Sequence, residues 1–172
     1  MLPARDIVLL LTHSGDHYTV DRVAQELSRR GAYPLRIDTD GFPEELELTT
    51  SVDPEKTEVT LRIAGHEIPG REVQSVWLRR LALSRLDENL EPSWREGCLR
   101  ESRAALEGFL DGLQAAGCRF VNPPEAGQAA AGKLRQLRVA RSLGLEVPRT
   151  LVTNDGARVR PFFEQLQGRM VA

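Results

Sequence analysis

The sequence predicts an α/β fold: a mostly parallel sheet with one antiparallel hairpin. Three observations carry this. The apolar run Ile7–Leu11, a polar loop, an amphipathic stretch and a second apolar segment make a β-α-β unit, which closes as a right-handed parallel crossover. Two segments with alternating apolar residues flank the turn Asp53-Pro-Glu-Lys56, as in a hairpin with one solvated face. Finally, a long helical pattern near Pro92–Ala116 lies between two further short apolar runs.

Taken in order, Asp6–Thr12 reads as a strand buried on both faces, because its apolar run is continuous rather than alternating. The polar loop Thr12–Tyr18 follows. A helix is expected from about Thr19 to Arg30, with Val20, Val23, Ala24 and Leu27 on one face, Thr19 as N-cap and Gly31 as the left-handed residue that ends it. Tyr33–Asp38 is the next strand. Leu46, Leu48 and Val52, then Val59, Leu61 and Ile63, mark the two hairpin strands. Val73–Leu78 reads as another buried strand and delivers Arg79 and Arg80 at its end. The long helix starts at Pro92 or Ser93, since proline is tolerated in a first turn, and stops at Gly117, with Leu99, Leu106, Phe109, Leu110 and Leu113 near one face. Arg119–Val121 is a short strand cut off by Asn122-Pro-Pro124. The double proline marks a boundary, giving expected domains at residues 1–121 and 122–172. Beyond it an arginine-rich helix (125–143), a strand (149–153), a helix (157–167) and a last strand starting at Arg169 are expected, the chain ending inside that strand.

The 172 residues and 19.2 kDa suit one domain, or one domain and part of a second. Such a chain buries roughly 70% of its unfolded surface, enough for a real core. A balance of 23 basic and 25 acidic residues, net charge -2, argues against a general nucleic-acid binder. The longest apolar run falls far short of the ~20 residues that span a bilayer, and no secretory signal pattern opens the chain. Cys98 and Cys118 match no metal-ligand spacing and read as a pair of buried thiols. These features together lead us to expect a cytoplasmic protein with no membrane and no nucleic-acid partner. Only Lys56 and Lys133 are lysines, which excludes chemistry needing several of them.

Candidate site residues cluster in two places. His13-Ser-Gly-Asp-His17 follows the first strand, at the edge of an open α/β sheet where ligands bind. Its residues fit three readings: Ser14 or Asp16 capping the following helix, contact with a substrate, or metal ligation by imidazole and carboxylate. Arg79 and Arg80, at the end of a central strand, suit bidentate recognition of a carboxylate or phosphate, or else a salt bridge. Lys133 opens a helical segment where a cation could meet phosphate, and a solvated face is the competing reading. His66 reads as a surface residue. A single Gly15 in the first loop gives neither a dinucleotide fingerprint nor a P-loop, and no nucleophile–base pair is visible.

Three stretches in order carry a family resemblance. They are Leu10–Asp16 with Leu35–Pro43; Ser75-Val-Trp-Leu-Arg-Arg80; and Phe120–Pro124 followed by Lys133–Leu137 and Gly144–Asn154. Together they resemble the N-terminal, pre-ATP-grasp part of microviridin-type ATP-grasp ligases, the graspetide synthetases that modify ribosomal precursor peptides. The resemblance implies a Rossmann-like pre-ATP-grasp domain followed by the start of an ATP-grasp domain. It implies activation of an Asp or Glu side chain as an acylphosphate with ATP and Mg2+, then attack by a hydroxyl or amine to close an ester or amide. It further implies a precursor peptide, leader and core, as partner, and a homodimer. In such ligases the strand matching Arg169–Ala172 is followed by an ATP-binding lysine, with a second lysine and the magnesium carboxylates further on. None of these lies in the present sequence, so the chain alone is expected to bind no nucleotide or magnesium and to hold no catalytic residue. His13, Ser14, Asp16, Arg79 and Arg80 are the expected substrate or phosphate contacts, and Lys133 the nucleotide-proximal one. The competing expectation is a non-catalytic module for peptide binding or dimerisation.

Overall fold

A computed structural model describes residues 7–171. Asp6 and Ala172, expected at the ends of the first and last strands, lie outside the described residues. The chain forms two compact units, Met1–Gly127 and Gln128–Ala172.

The first unit contains β1 (Ile7–Thr12), α1 (Thr19–Arg29), β2 (Tyr33–Asp38), β3 (Leu46–Val52), β4 (Thr57–Ile63), β5 (His66–Pro69), β6 (Val73–Leu78), α2 (Pro92–Ala115) and β7 (Arg119–Val121). Four strands make a parallel sheet in the order β2-β1-β6-β7, and three make a separate antiparallel sheet, β3-β4-β5. The α/β class and the parallel sheet are as the sequence predicts.

The continuous apolar run of β1 is explained by its two buried faces. Val8 and Leu10 pack with Val20 of α1, and Val23, Ala24 and Leu27 complete that contact. Ile7, Leu9 and Leu11 point the other way, into a core shared with Leu46, Val59, Leu61 and Ile68 of the antiparallel sheet and Leu106, Phe109, Leu110 and Leu113 of α2. Leu99, expected on the same face of α2, is half-buried. Close approach of α2 to β4 depends on Gly112, where a Cβ would overlap the Val59 side chain, and the 3-10 turn Gly70–Glu72 approaches the same valine through Gly70. A void of about 10 Å³ lies in the core beside Leu9, Phe42 and Phe109.

Several local expectations need correction. The antiparallel element has three strands, not two. The third, β5, carries one deeply buried residue, Ile68, and its four residues are too short to show alternation. His66 lies on it and is exposed, as expected of a surface residue. Thr19 is the first helical residue rather than the cap; Tyr18 precedes the helix with φ 51°, and no side chain caps it. Gly31 and Gly117 do end their helices in the left-handed region, at φ 86° and 87°. Of the two thiols only Cys118 is buried, while Cys98 is half-buried on α2.

The second unit departs further. The expected helix 125–143 is two helices, α3 (Pro124–Ala131), which spans the division between units, and α4 (Lys133–Ser142). Gly132 sits between them in extended geometry, φ -69° and ψ 107°, and the Gln136 side chain donates to the Ala130 carbonyl (2.6 Å), closing the end of α3. Residues 149–153 and 169–171 form no strand, because the described residues of this unit offer no ladder of partners. The expected helix 157–167 is a 3-10 turn, Gly156–Arg158, leading into α5 (Val159–Gln165). None of the residues of α4 or α5 is buried, and Leu134, Val139, Leu143 and Phe163 are exposed.

Candidate functional site

The topology of the parallel sheet directs attention to one edge. From β1 the chain crosses through α1 to β2 on one side; from β6 it crosses through α2 to β7 on the other. The two helices cover opposite faces, so the carboxyl ends of β1 and β6 flank a topological switch point, where open α/β sheets form a ligand crevice. The loop after β1 carries His13, Ser14 and Asp16. Arg79 and Arg80 follow β6 directly, and both of their amides donate to the Leu11 carbonyl, at 3.0 and 3.4 Å. Five of the six residues singled out in the sequence therefore meet at one place in the first unit. Lys133 lies in the second unit, exposed at the first residue of α4, its Nζ 3.5 Å from Gln136 Oε1.

Asp16 is the pivot of the cluster. It is buried, accepts a 2.6 Å hydrogen bond from Thr12 Oγ1, and lies 3.5 Å from Arg79 Nε. The Thr12 hydroxyl, then the Arg79 and Arg80 guanidiniums and His13, hold its carboxyl below the ordinary value against the opposing effect of burial. Asp16 is thus an anchored carboxylate. The His13 ring packs over Gly15, where a Cβ would stand 3.4 Å from Nδ1. The His13 carbonyl accepts from Asp16 N at 2.9 Å and from Arg36 Nη2 at 3.2 Å. His17 is exposed.

A second anchored carboxylate, Asp40, comes from the 3-10 turn Thr39–Gly41 after β2. Ser14 donates to it twice, from its amide to Oδ1 (2.8 Å) and from Oγ to Oδ2 (2.6 Å), and Arg85 Nε lies 3.5 Å away. Burial alone would raise this carboxyl, but the side-chain and backbone bonds from Ser14 and the Arg85 charge outweigh it and keep it low. Buried Thr39 links the same segments: its hydroxyl donates to the Thr12 carbonyl (2.9 Å) and accepts from Ala82 N (3.0 Å). Neither Ser14 nor Asp16 caps α1, so the capping reading is wrong; both side chains turn inward to pin the loop.

Sequence reasoning missed Thr12, Thr39, Asp40 and Arg85. A signal for three of them was present: β1 and β2 are parallel neighbours, so Thr12 and the residues after Asp38 must share an edge. Arg85 had none, because residues 79–91 form no helix or strand. Among the described residues no group of three His, Cys, Asp or Glu side chains is placed to hold a metal ion. With Asp16 and Asp40 already engaged, the residues of this edge do not fit a magnesium-bound nucleotide.

A doubly wound α/β domain with a polar, arginine-bearing edge at its switch point is the class of protein that the fold and edge define. Residues 7–127 match the family described as the MvdD pre-ATP grasp domain, and the chain belongs to that family. Among solved structures it is similar to the macrocyclase MdnB from Microcystis aeruginosa MRC, with a TM-score of 0.87 and 45% identity over 96% of this chain and 53% of that one. It is also similar to the macrocyclase MdnC bound with precursor peptide MdnA from Microcystis aeruginosa MRC, with a TM-score of 0.85 and 28% identity over 94% of this chain and 52% of that one. A third is the ATP-grasp ligase PsnB complexed with a phosphomimetic variant of its minimal precursor, Mg and ADP, with a TM-score of 0.63 and 32% identity over 94% of this chain and 52% of that one. The chain spans about half the length of these relatives, between 52% and 53%. No curated protein sequence is significantly similar to it.

Proposed function

We propose that this chain is the N-terminal part of an ATP-dependent ligase that closes side-chain rings in a ribosomally made precursor peptide. The observation that carries the reading is the 45% identity to MdnB along 96% of the present chain. The domain division is proposed near residue 121, with the pre-ATP-grasp domain before it and the beginning of the ATP-grasp domain after it.

The chemistry follows from the poor reactivity of a carboxylate as an acyl donor. Transfer of a phosphoryl group from ATP to an Asp or Glu side chain of the precursor gives an acylphosphate and ADP. A Ser or Thr hydroxyl, or a Lys amine, then attacks the acyl carbon and expels phosphate, forming an ester or amide. Such catalysis rests on positioning and charge neutralisation. ATP and Mg2+ are assigned in this reading to the remainder of the ligase. The contribution proposed for this chain is to hold the peptide: His13, Arg79 and Arg80 face it at the switch-point edge, Ser14 and Asp16 pin the loop that presents them, and Lys133 lies toward the nucleotide. We place the enzyme in the cytoplasm, as a homodimer that engages both leader and core of its precursor. No described helix is long and apolar enough to cross a membrane.

The test is to incubate the native gene product with ATP, Mg2+ and each short peptide encoded in its genomic neighbourhood. One of them is expected to lose the mass of one water per ring closed, and to regain it on ester hydrolysis where the link is an ester. Unchanged masses for all of them would sink the reading. Arg79→Ala is expected to lower the conversion while circular dichroism and unfolding temperature report a folded protein.

A further inference from the structure

The arginines at the carboxyl edge of the parallel sheet are not equivalent. Arg36 is paired with Asp38 (2.8 Å) and Asp21 (3.4 Å), and Arg85 with Glu45 (2.9 Å) and Asp40 (3.5 Å). Arg79 leans on Asp16 at 3.5 Å, its Nε cut off from solvent. Arg80 alone among these four has no carboxylate within 4.0 Å among the described residues, and it is exposed. Its backbone is nonetheless held, because its amide reaches the Leu11 carbonyl at the end of β1. The carboxylates that could neutralise it are already occupied: Asp16 by Thr12 and Arg79, Asp40 by Ser14 and Arg85. The edge between β1 and β6 therefore keeps, on a pinned segment, one guanidinium that acts on Asp16 only from a distance and has no carboxylate within 4.0 Å among the described residues.

We propose that Arg80 is the carboxylate-binding residue of this edge, taking the side-chain carboxylate of an acidic residue in a peptide through its planar fork, while Arg79 is a positioning residue spent on Asp16. This deepens the ligase reading above and rests on it for the identity of the peptide. A planar fork offers two donors to the two acceptor oxygens of a carboxylate, and it can hold a phosphate in the same way, so inorganic phosphate is the competing probe. Thr12 belongs to the same device. Fully buried, it fixes Asp16, and Asp16 in turn draws the Nε end of Arg79 inward.

The 172-residue chain can be tested directly by titration, following its backbone amide resonances. The probes are a short peptide with blocked termini and one Glu, the same peptide with Gln, and inorganic phosphate. The Glu peptide is expected to move the amides of residues 13–16 and 79–82, with the Gln peptide and phosphate having little effect. Arg80→Ala is expected to weaken that binding about tenfold or more, the scale of a lost hydrogen bond to a charged group. Arg22→Ala, an exposed arginine on α1, is the control and should leave it unchanged. Absence of binding by the Glu peptide, equal binding by Gln or phosphate, or undiminished binding by the Arg80 variant would each overturn the proposal. Failure here stays distinct from failure of the ligase reading. A native product that cyclises its precursor with KM unchanged by Arg80→Ala refutes the role of Arg80 alone. Arg80-dependent Glu binding without any cyclisation refutes the ligase alone.

Discussion

Arg79 Nε stands 3.5 Å from Asp16 Oδ2, so the end of β6 is joined to the loop after β1 by a charge pair at the switch point of the sheet. The pair is less exposed than the other ion pairs among the described residues: the Asp16 side chain is 8% accessible and that of Arg79 27%. Around it, Thr12, Ser14, Thr39 and Asp40 bind the three segments of the edge to one another. The edge is therefore built as a rigid platform before any ligand arrives, which favours precise placement of a peptide group.

The Thr39 hydroxyl is the first place to test that rigidity. Thr39→Val keeps the shape but leaves the Thr12 carbonyl and the Ala82 amide without their partner in a buried setting. The variant is expected to lose about 1–3 kcal/mol of stability, the usual penalty for stranding buried polar groups. Chemical denaturation measures it directly; a loss near zero would mean the residues around Ala82 are not anchored through Thr39.

Acid should loosen the same edge. Asp16 and Asp40 both titrate below the ordinary value of 3.8 in the folded protein. Carboxyls with a depressed folded value contribute stability that is fully present above the unfolded value and is lost as pH falls through the folded one. Stability is thus predicted to fall as pH drops below about 3.8. Asp40→Asn should flatten that part of the curve. A denaturation series from pH 6 to 2.5, wild type against variant, decides it; parallel curves would contradict the anchored carboxylate.

The packing of α2 on β4 gives a prediction independent of the site. Gly112→Ala places a methyl group where the Val59 side chain stands, and the helix must move or the valine rotate. Overpacking of this kind costs about 1–3 kcal/mol. The double variant Gly112→Ala with Val59→Ala should recover part of the loss, and the thermal midpoints of the single and double variants show whether it does.

How much of this was legible in the residues themselves depends on how many neighbours an element needs. β1 announced both of its faces through Ile7–Leu11, and the helix ends at Gly31 and Gly117 were readable because a left-handed residue favours glycine. The hairpin strands were clear from Leu48, Val59 and Leu61, whereas β5 was invisible because a four-residue strand with one buried isoleucine carries no period. At the site, His13, Asp16, Arg79 and Arg80 stood out by chemistry and place. What could not be read was the direction of their bonds: Ser14 and Asp16 looked like caps for α1, and only the tertiary fold sends them to Asp40 and Thr12. In the second unit the expected strands at 149–153 and from Arg169 onward had the right composition, but a strand exists only with a partner beside it.

The cysteines separate by burial. Burial pushes the Cys118 thiol up to about 11, whereas Cys98 is partly open on α2. Iodoacetamide at pH 8 should therefore label Cys98 in the native protein and Cys118 only after denaturation. Mass spectrometry of the digested protein reads this, and rapid native labelling of Cys118 would contradict the packing at the start of β7.

The central claim is that this chain is the front half of a peptide-cyclising ligase, and the intact mass of the native gene product from its source cells tests it most directly. A mass near twice the 19.2 kDa of the present chain is predicted, since the chain covers 53% of MdnB. A native mass of 19.2 kDa would contradict the claim and leave a binding module that must work through a partner.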